Sequence, residues 1–197
     1  MDYKDTDKAI EKLQQDIEKI QSEISALRSN RELELFEDYT LYHRDASAVL
    51  LSSLFKDQDE LLLIHNMGKS CSYCTMWADT LNSSTTIIND RVPMVLISPN
   101  EPSVLDTFAS SRNWNFLCVS AHGTNFISDS GYSYEKEGKT YYMPGVSAFI
   151  KKEGKIYRTN KDYFGPGDVY CSPWHFFDLL SKKDNGWTPK FDYLQKA

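Results

Sequence analysis

Apolar residues near the N-terminus recur at alternating spacings of three and four. This seam consists of Ile10, Leu13, Ile17, Ile20, Ile24 and Leu27. A mean spacing of 3.5 residues is the period of a coiled-coil heptad, with apolar residues at positions a and d. The next a and d positions are the charged residues Arg31 and Glu34, so we predict that the helix spans residues 1–30 and ends near Asn30.

Two arrangements of this helix are open from the sequence. Isoleucine at a with mostly leucine at d favours a parallel two-stranded pairing, in which Glu23 of one helix faces Arg28 of its partner. That pairing predicts a homodimer through the N-terminal helix. Three heptads are only marginally stable by themselves, so the alternative is an amphipathic helix that lies on its own domain.

Beyond the connection at residues 31–49, the pattern changes to short, continuous apolar runs. Residues 60–65 and 92–97 have the length and composition of strands buried on both faces. Between them we predict a helix over residues 71–82, opened by Ser70 as its N-cap. A strand, a helix and a second strand in this order form a βαβ unit, whose right-handed crossover makes the two strands parallel neighbours.

The C-terminal half continues the alternation of strands and helices. A helix that starts within residues 98–102 and runs through Arg112 precedes a strand at 116–119 and a long polar loop at 120–142. Residues 146–150 and 155–158 are predicted to form a hairpin, and Ser172 followed by proline predicts a closing helix over 174–182. The order is therefore a helix, then βαβαβ, then ββα.

Composition narrows the classes of function. Apolar residues make up 41% and charged residues 25% of the 197 residues, which is typical of a globular protein. The formal charge of −6 comes without a basic stripe, so nucleic acid is not an expected partner. No apolar run has the roughly 18 residues of a membrane span, and the N-terminus is charged from Asp2 onward, so we expect a cytoplasmic protein with no membrane partner.

The candidate chemistry lies in two of the four cysteines, Cys71 and Cys74. A thiolate at a helix N-terminus faces unpaired N–H groups and the positive end of the helix dipole, which lower its pKa. Cys71 is predicted to lie at that position, and Cys74 follows one helical turn later on the same face. Two such thiols can exchange electrons with a disulfide, with the first attacking and the second resolving the mixed disulfide.

The same stretch carries a family resemblance. It reads Leu-Leu-Ile-His-Asn-Met-Gly over residues 62–68 and Cys-Ser-Tyr-Cys-Thr-Met-Trp-Ala-Asp over residues 71–79. With the ββα ending, it resembles the thioredoxin fold over residues 50–182, and it is similar to a bacterial thioredoxin-like family known as a domain of unknown function. The resemblance implies an α/β fold with a central mixed β-sheet flanked by helices, preceded by the N-terminal amphipathic helix and followed by a tail at 183–197.

The resemblance also implies roles for individual residues. Thioredoxins have a buried acid six residues before the attacking cysteine, and the same count reaches His65, a candidate proton acceptor or a structural histidine at a strand end. Asp79 falls on the same helix face, although a solvated aspartate is the expected interpretation. The tryptophan and proline of the common Trp-Cys-Gly-Pro-Cys motif are absent, so the redox potential and the range of partners are open.

We therefore predict a thiol–disulfide oxidoreductase or redox sensor with Cys71, Cys74 and His65 as site residues. No organic cofactor is expected, because a redox protein or a small-molecule thiol or disulfide would supply or accept the electrons.

One alternative is a zinc site completed by Cys118 with His122 or by Cys171 with His175. Another is a binding module that has lost catalysis. The Thr-x-x-Cys signature of related peroxidases is absent, because Gly68 and Cys71 stand three residues before the two cysteines.

Overall fold

The computed structural model describes residues 2–192, and the chain divides after Glu34 into two units. The first unit is helix α1, Tyr3–Ser29, whose N-cap Asp2 accepts a hydrogen bond from the amide of Asp5. At the other end, the side-chain amide of Asn30 donates to the carbonyl of Ala26. Both ends agree with the helix predicted from the heptad pattern, and no residue of α1 is buried.

The second unit contains an eight-stranded sheet in the order β1-β10-β9-β4-β5-β6-β2-β3 and a separate pair, β7 and β8. The strands are β1 Glu34–Phe36, β2 Thr40–Tyr42, β3 Ala48–Leu50, β4 Glu60–His65, β5 Met94–Ser98, β6 Leu117–Ser120, β7 Ser133–Lys136, β8 Lys139–Tyr142, β9 Gly145–Lys152 and β10 Lys155–Tyr163. The helices are α2 Ser72–Arg91, α3 Pro102–Ser111, α4 Phe126–Asp129 and α5 Ser172–Asp178, with a short 3-10 helix at Leu51–Phe55.

The centre of this sheet is mixed, as predicted. Strand β4 runs parallel to β5, which is parallel to β6, whereas β9 lies antiparallel on the other side of β4 and pairs with β10 as a hairpin. The β4–α2–β5 and β5–α3–β6 connections are the two predicted βαβ crossovers. The fold is thus the thioredoxin-like α/β arrangement expected from the sequence.

The sheet separates two hydrophobic cores. Because successive residues of a strand point to opposite faces, β4 contributes Leu61 and Leu63 to one core and Ile64 to the other. The core that contains Ile64 also holds Met76 and Trp77 of α2. The core that contains Leu61 and Leu63 also holds buried residues of the 3-10 helix and of α4. Helix α2 therefore packs on the Ile64 face of β4.

Several elements differ from the prediction. Residues 31–49 are not wholly irregular, since β1, β2 and β3 add three short strands at the two edges of the sheet. The predicted loop at 120–142 contains α4 and the β7–β8 hairpin. Three- and four-residue elements are too short to show a period in the sequence.

The helix boundaries also differ. Helix α2 continues to Arg91, well past the predicted end at Asn82, because Thr85 is buried and Ile88 packs against the core that contains Met76 and Trp77. The N-cap of α5 is Cys171 rather than Ser172, and α5 ends at Asp178. Within residues 2–192, no helix combines the length and the apolar character that crossing a membrane would require.

Candidate functional site

The loop between β4 and α2 is fixed by two asparagine side chains. Asn66 Oδ1 accepts a hydrogen bond from the amide of Gly68 at 2.7 Å, and Asn100 Oδ1 accepts one from the amide of Lys69 at 2.8 Å. Gly68 has φ of +102°, and a Cβ there would lie 2.9 Å from Asn100 Oδ1, so a glycine is required. These contacts set the direction in which the chain enters α2.

Sequence reasoning missed both asparagines as site residues. Each follows a buried parallel strand, with Asn66 directly after β4 and Asn100 two residues after β5. Side chains at the carboxyl ends of adjacent parallel strands meet at one edge of the sheet, which is where α/β proteins commonly place their sites. A polar residue just after a predicted buried strand is therefore the sequence signal that could have identified Asn66 and Asn100.

Cys71 is the N-cap of α2, in place of the predicted Ser70. Its backbone is extended, and its Sγ accepts a hydrogen bond from the amide of Cys74 at 3.1 Å. Its carbonyl accepts the first hydrogen bond of the helix, from the amide of Thr75 at 3.0 Å. The sulfur therefore occupies the place that a serine or aspartate oxygen takes in most caps.

These contacts make Cys71 the more acidic of the two thiols. A hydrogen bond from the Cys74 thiol lowers the pKa of Cys71 to about 7, with further lowering from the amides of Cys74 and Tyr73 and partial opposition from burial. Because the thiolate is the nucleophilic form of cysteine, the lowered pKa favours Cys71 over Cys74 as a nucleophile.

Cys74 has the opposite character. Its side chain is 3% exposed, and the hydrogen bond that it donates to Cys71, followed by burial, raises its pKa far above the ordinary value. It is therefore held as a neutral thiol directly behind Cys71. The pair consists of one half-buried sulfur that ionises readily and one buried sulfur that keeps its proton.

His65 is buried on the face of β4 that carries Leu61 and Leu63, so its side chain points away from α2. Its Nε2 lies 3.0 Å from the hydroxyl of Ser147, and its ring stacks on Tyr132 at 3.5 Å between centroids. Burial, followed by the positive charges of Arg158 and Lys161, holds its pKa well below the ordinary range. The structure therefore brings Cys71 and Cys74 together and places His65 in a different core.

Aromatic side chains border the dithiol. Tyr73, between the two cysteines in sequence, contacts Trp77 of α2 and Trp174 of α5, with ring centroids 6.2 and 6.1 Å apart respectively. Trp77 in turn stacks on Phe164 at 5.7 Å. These contacts tie the start of α2 to α5 and restrict the orientation of the segment that carries both thiols.

Asp79 is not a solvated aspartate, so that expectation is wrong. Its carboxylate forms a buried ion pair with Arg112 and accepts a hydrogen bond from Trp114 Nε1 at 2.9 Å. Arg112 follows α3, so the pair connects α2 to the end of the neighbouring helix. The acid has a structural partner of opposite charge and is not directed at the dithiol.

The other two cysteines are separate and buried. The thiol of Cys118 lies 3.7 Å from the carbonyl of Phe116, and burial raises its pKa to about 12. Cys171 contacts the hydroxyl of Thr80, and burial also raises its pKa. Among residues 2–192, no three His, Cys, Asp or Glu side chains are grouped as a metal site would require, so neither predicted pair adds ligands to Cys71 and Cys74.

Comparison with known proteins agrees with this geometry. The family model for a bacterial protein of unknown function, DUF899, matches residues 6–193. The chain belongs to this family. The match confirms the resemblance to a bacterial family of unknown function, and it includes most of α1 as well as the sheet. A search of curated proteins gives no match.

Solved structures with the same fold are peroxiredoxins and related proteins. The bacterioferritin comigratory protein of Xanthomonas campestris, studied for its alkyl peroxide reduction activity, superposes with a TM-score of 0.55 at 15% identity, covering 66% of this chain and 85% of its own. Peroxidoxin BcpB of Mycobacterium tuberculosis gives 0.54 at 17% identity, covering 79% and 97%. A peroxiredoxin-like protein of Aquifex aeolicus gives 0.55 at 16% identity, covering 66% and 74%. At these identities the likeness shows the thioredoxin-type fold alone.

Proposed function

We propose that the protein is a thiol–disulfide oxidoreductase in which Cys71 attacks and Cys74 resolves. The observation that carries the proposal is the asymmetry of the pair: the Cys71 sulfur caps α2 and has its pKa lowered to about 7, whereas Cys74 is buried behind it. An attacking thiol is most effective when its pKa is near the ambient pH, because it is then both ionised and still nucleophilic.

The reaction has two steps. The Cys71 thiolate attacks one sulfur of a substrate disulfide, which forms a mixed disulfide and releases one substrate thiolate. The Cys74 sulfur then attacks Cys71, which closes the Cys71–Cys74 disulfide and releases the second substrate thiolate, and the Cys74 proton passes to a released thiolate or to water. Two electrons move from the protein to the substrate, and a partner dithiol of another redox protein or a small-molecule thiol returns them.

His65 has no place in this proton transfer. Its ring lies on the face of the sheet opposite to α2, and a histidine whose pKa is held well below neutrality is a poor base for a thiol. The proposal therefore rests on the two sulfur atoms and the amides at the start of α2. The ring of His65 stacks on Tyr132 and Phe126, and its Nε2 contacts the hydroxyl of Ser147.

Reaction of the reduced protein with dithiobis(nitrobenzoate) tests both steps. We expect the wild type to release two equivalents of thionitrobenzoate rapidly and to end as an internal disulfide. The Cys74→Ser variant should release one equivalent and remain as a mixed disulfide visible by intact mass, and Cys71→Ser should lose the rapid phase. Cys118→Ser and Cys171→Ser are matched controls and should behave as the wild type, since both thiols are buried. A rapid phase that survives in Cys71→Ser would contradict the proposal.

Peroxide reduction is a second candidate, favoured by the fold shared with the peroxide-reducing Xanthomonas campestris protein. The Cys71 thiolate would attack the peroxide oxygen, which gives a sulfenic acid and an alcohol, and Cys74 would then close the disulfide with loss of water. Against this candidate, Gly68 stands three residues before Cys71, where the Thr-x-x-Cys sequence of related peroxidases has its threonine. Treating Cys74→Ser with an alkyl hydroperoxide distinguishes the two, because only a peroxidase would rapidly gain one oxygen at Cys71.

A further inference from the structure

Helix α1, taken by itself, carries a continuous apolar seam along one face. All six seam residues are between 42% and 75% exposed, namely Ile10, Leu13, Ile17, Ile20, Ile24 and Leu27. No residue of α1 is buried. Leaving this much apolar side-chain surface in water is unfavourable, and a contiguous exposed stripe of this kind marks an interaction surface.

The spacing of the seam specifies the kind of surface. With Ile10, Ile17 and Ile24 at a and the three other seam residues at d, every a and d position over three heptads is apolar. The seam lies within one uninterrupted helix, Tyr3–Ser29, capped by Asp2 and Asn30. A stripe that repeats every 3.5 residues fits a partner helix with the same repeat, because knobs from one helix then enter holes in the other along the whole length.

We propose that α1 pairs with α1 of a second copy of this chain as a parallel, in-register, two-stranded coiled coil. The occupant is a second copy because the seam is self-complementary: each a residue meets its own counterpart, and β-branched isoleucine at a favours two strands. The match to the family model begins at residue 6 and so covers the whole seam.

Charge at the flanking positions selects the parallel orientation. In a parallel pair, each g residue faces the e residue of the following heptad in its partner, which places Glu23 against Arg28 twice, once on each side of the dimer. In an antiparallel pair, g faces g, which places Asp16 against Glu23 twice. The first arrangement is attractive and the second is repulsive, so the sequence disfavours the antiparallel alternative.

The oligomeric state of the full chain tests the pairing. We expect sedimentation equilibrium to give a concentration-dependent mass that rises toward twice the 22.7 kDa of one chain. Ile17→Glu with Ile24→Glu should abolish the rise. The matched control is Gln15→Glu with Ser22→Glu, which adds the same charge at the same seven-residue spacing on the opposite face and should leave the dimer intact. A monomeric wild type, or a dimer that survives the seam variant, would overturn the proposal.

Charge reversal tests the orientation separately. Glu23→Arg should weaken a parallel dimer about three- to tenfold in dissociation constant, because it opposes two arginines, whereas it would tighten an antiparallel dimer by removing the repulsion with Asp16. The exchange Glu23→Arg with Arg28→Glu should restore the wild-type value for the parallel dimer. Tightening by Glu23→Arg would overturn the parallel arrangement. None of these residues belongs to the dithiol site, so the thiol chemistry of each variant reports independently on folding.

Discussion

At the scale of single residues, one sulfur atom has two functions. Cys71 caps α2 and is also the acidic thiol of the pair. The sequence identified the pair and its place at a helix start, but it assigned the cap to Ser70, because a serine is ordinarily the better cap. The difference arises from the loop, since the hydrogen bonds of Asn66 and Asn100 place the chain so that the side chain of residue 71 accepts from the amide of Cys74 in the first turn of α2.

The two cap assignments predict different effects on stability. Cys71→Ala should reduce the free energy of unfolding by about 1 kcal/mol through loss of the cap, whereas Cys71→Ser should retain most of it. Ser70→Ala should change it by less than about 0.5 kcal/mol, as for an ordinary surface position. Urea unfolding in reducing buffer measures all three. A larger loss from Ser70→Ala than from Cys71→Ala would show that the cap is wrongly assigned.

The stability that Cys71 contributes to the folded protein depends on pH. The pKa of Cys71 is lowered from 9.0 to about 7 on folding, so its ionised form contributes stability that is fully present above pH 9 and is lost as the pH falls through 7. The advantage of wild type over Cys71→Ser should therefore grow between these values. Because the sulfur is partly exposed, we expect a change on the order of 1 kcal/mol or less.

At the scale of elements, the long buried runs were predictable and the short pieces were not. Strands β4 and β5, the crossover helices and the β9–β10 hairpin all follow from continuous apolar runs and cap residues. Strands β1, β2 and β3 have three residues each, and their existence depends on neighbours that are distant in sequence, such as the pairing of Tyr42 with Ser120. Local pattern contains no information about such a partner.

The close packing of β9 against β10 and Tyr132 requires a glycine at position 145. A Cβ at this position would overlap the carbonyl of Asp162 and lie 2.6 Å from Cε1 of Tyr132, so Gly145→Ala should destabilise the protein by about 2 kcal/mol or more. Gly165→Ala is the matched control, since a Cβ there meets nothing within 4 Å. Thermal unfolding of both variants measures the difference. Equal stability of the two would contradict the packing of Tyr132 against β9.

At the scale of the whole molecule, the sequence predicted the fold class and the dithiol but could not predict which residues share a face. The spacing of six residues from Cys71 along the chain suggests His65 as a proton acceptor for the dithiol. In the folded protein, strand alternation directs it into the core with Tyr132, while α2 packs on the other face of the sheet. The environment of Asp79 could not be predicted either, because its ion-pair partner Arg112 lies at the end of another helix.

The central claim is that Cys71 alone is an ionised, accessible thiol at neutral pH. The most direct test is the rate at which iodoacetamide modifies each of the four cysteines in the reduced, folded protein as a function of pH, read by peptide mass spectrometry. We predict that Cys71 reacts fastest and that its rate rises with a midpoint near pH 7, while Cys74, Cys118 and Cys171 stay protected. A midpoint near the ordinary thiol value of 9.0, or faster modification of Cys74, would contradict the account.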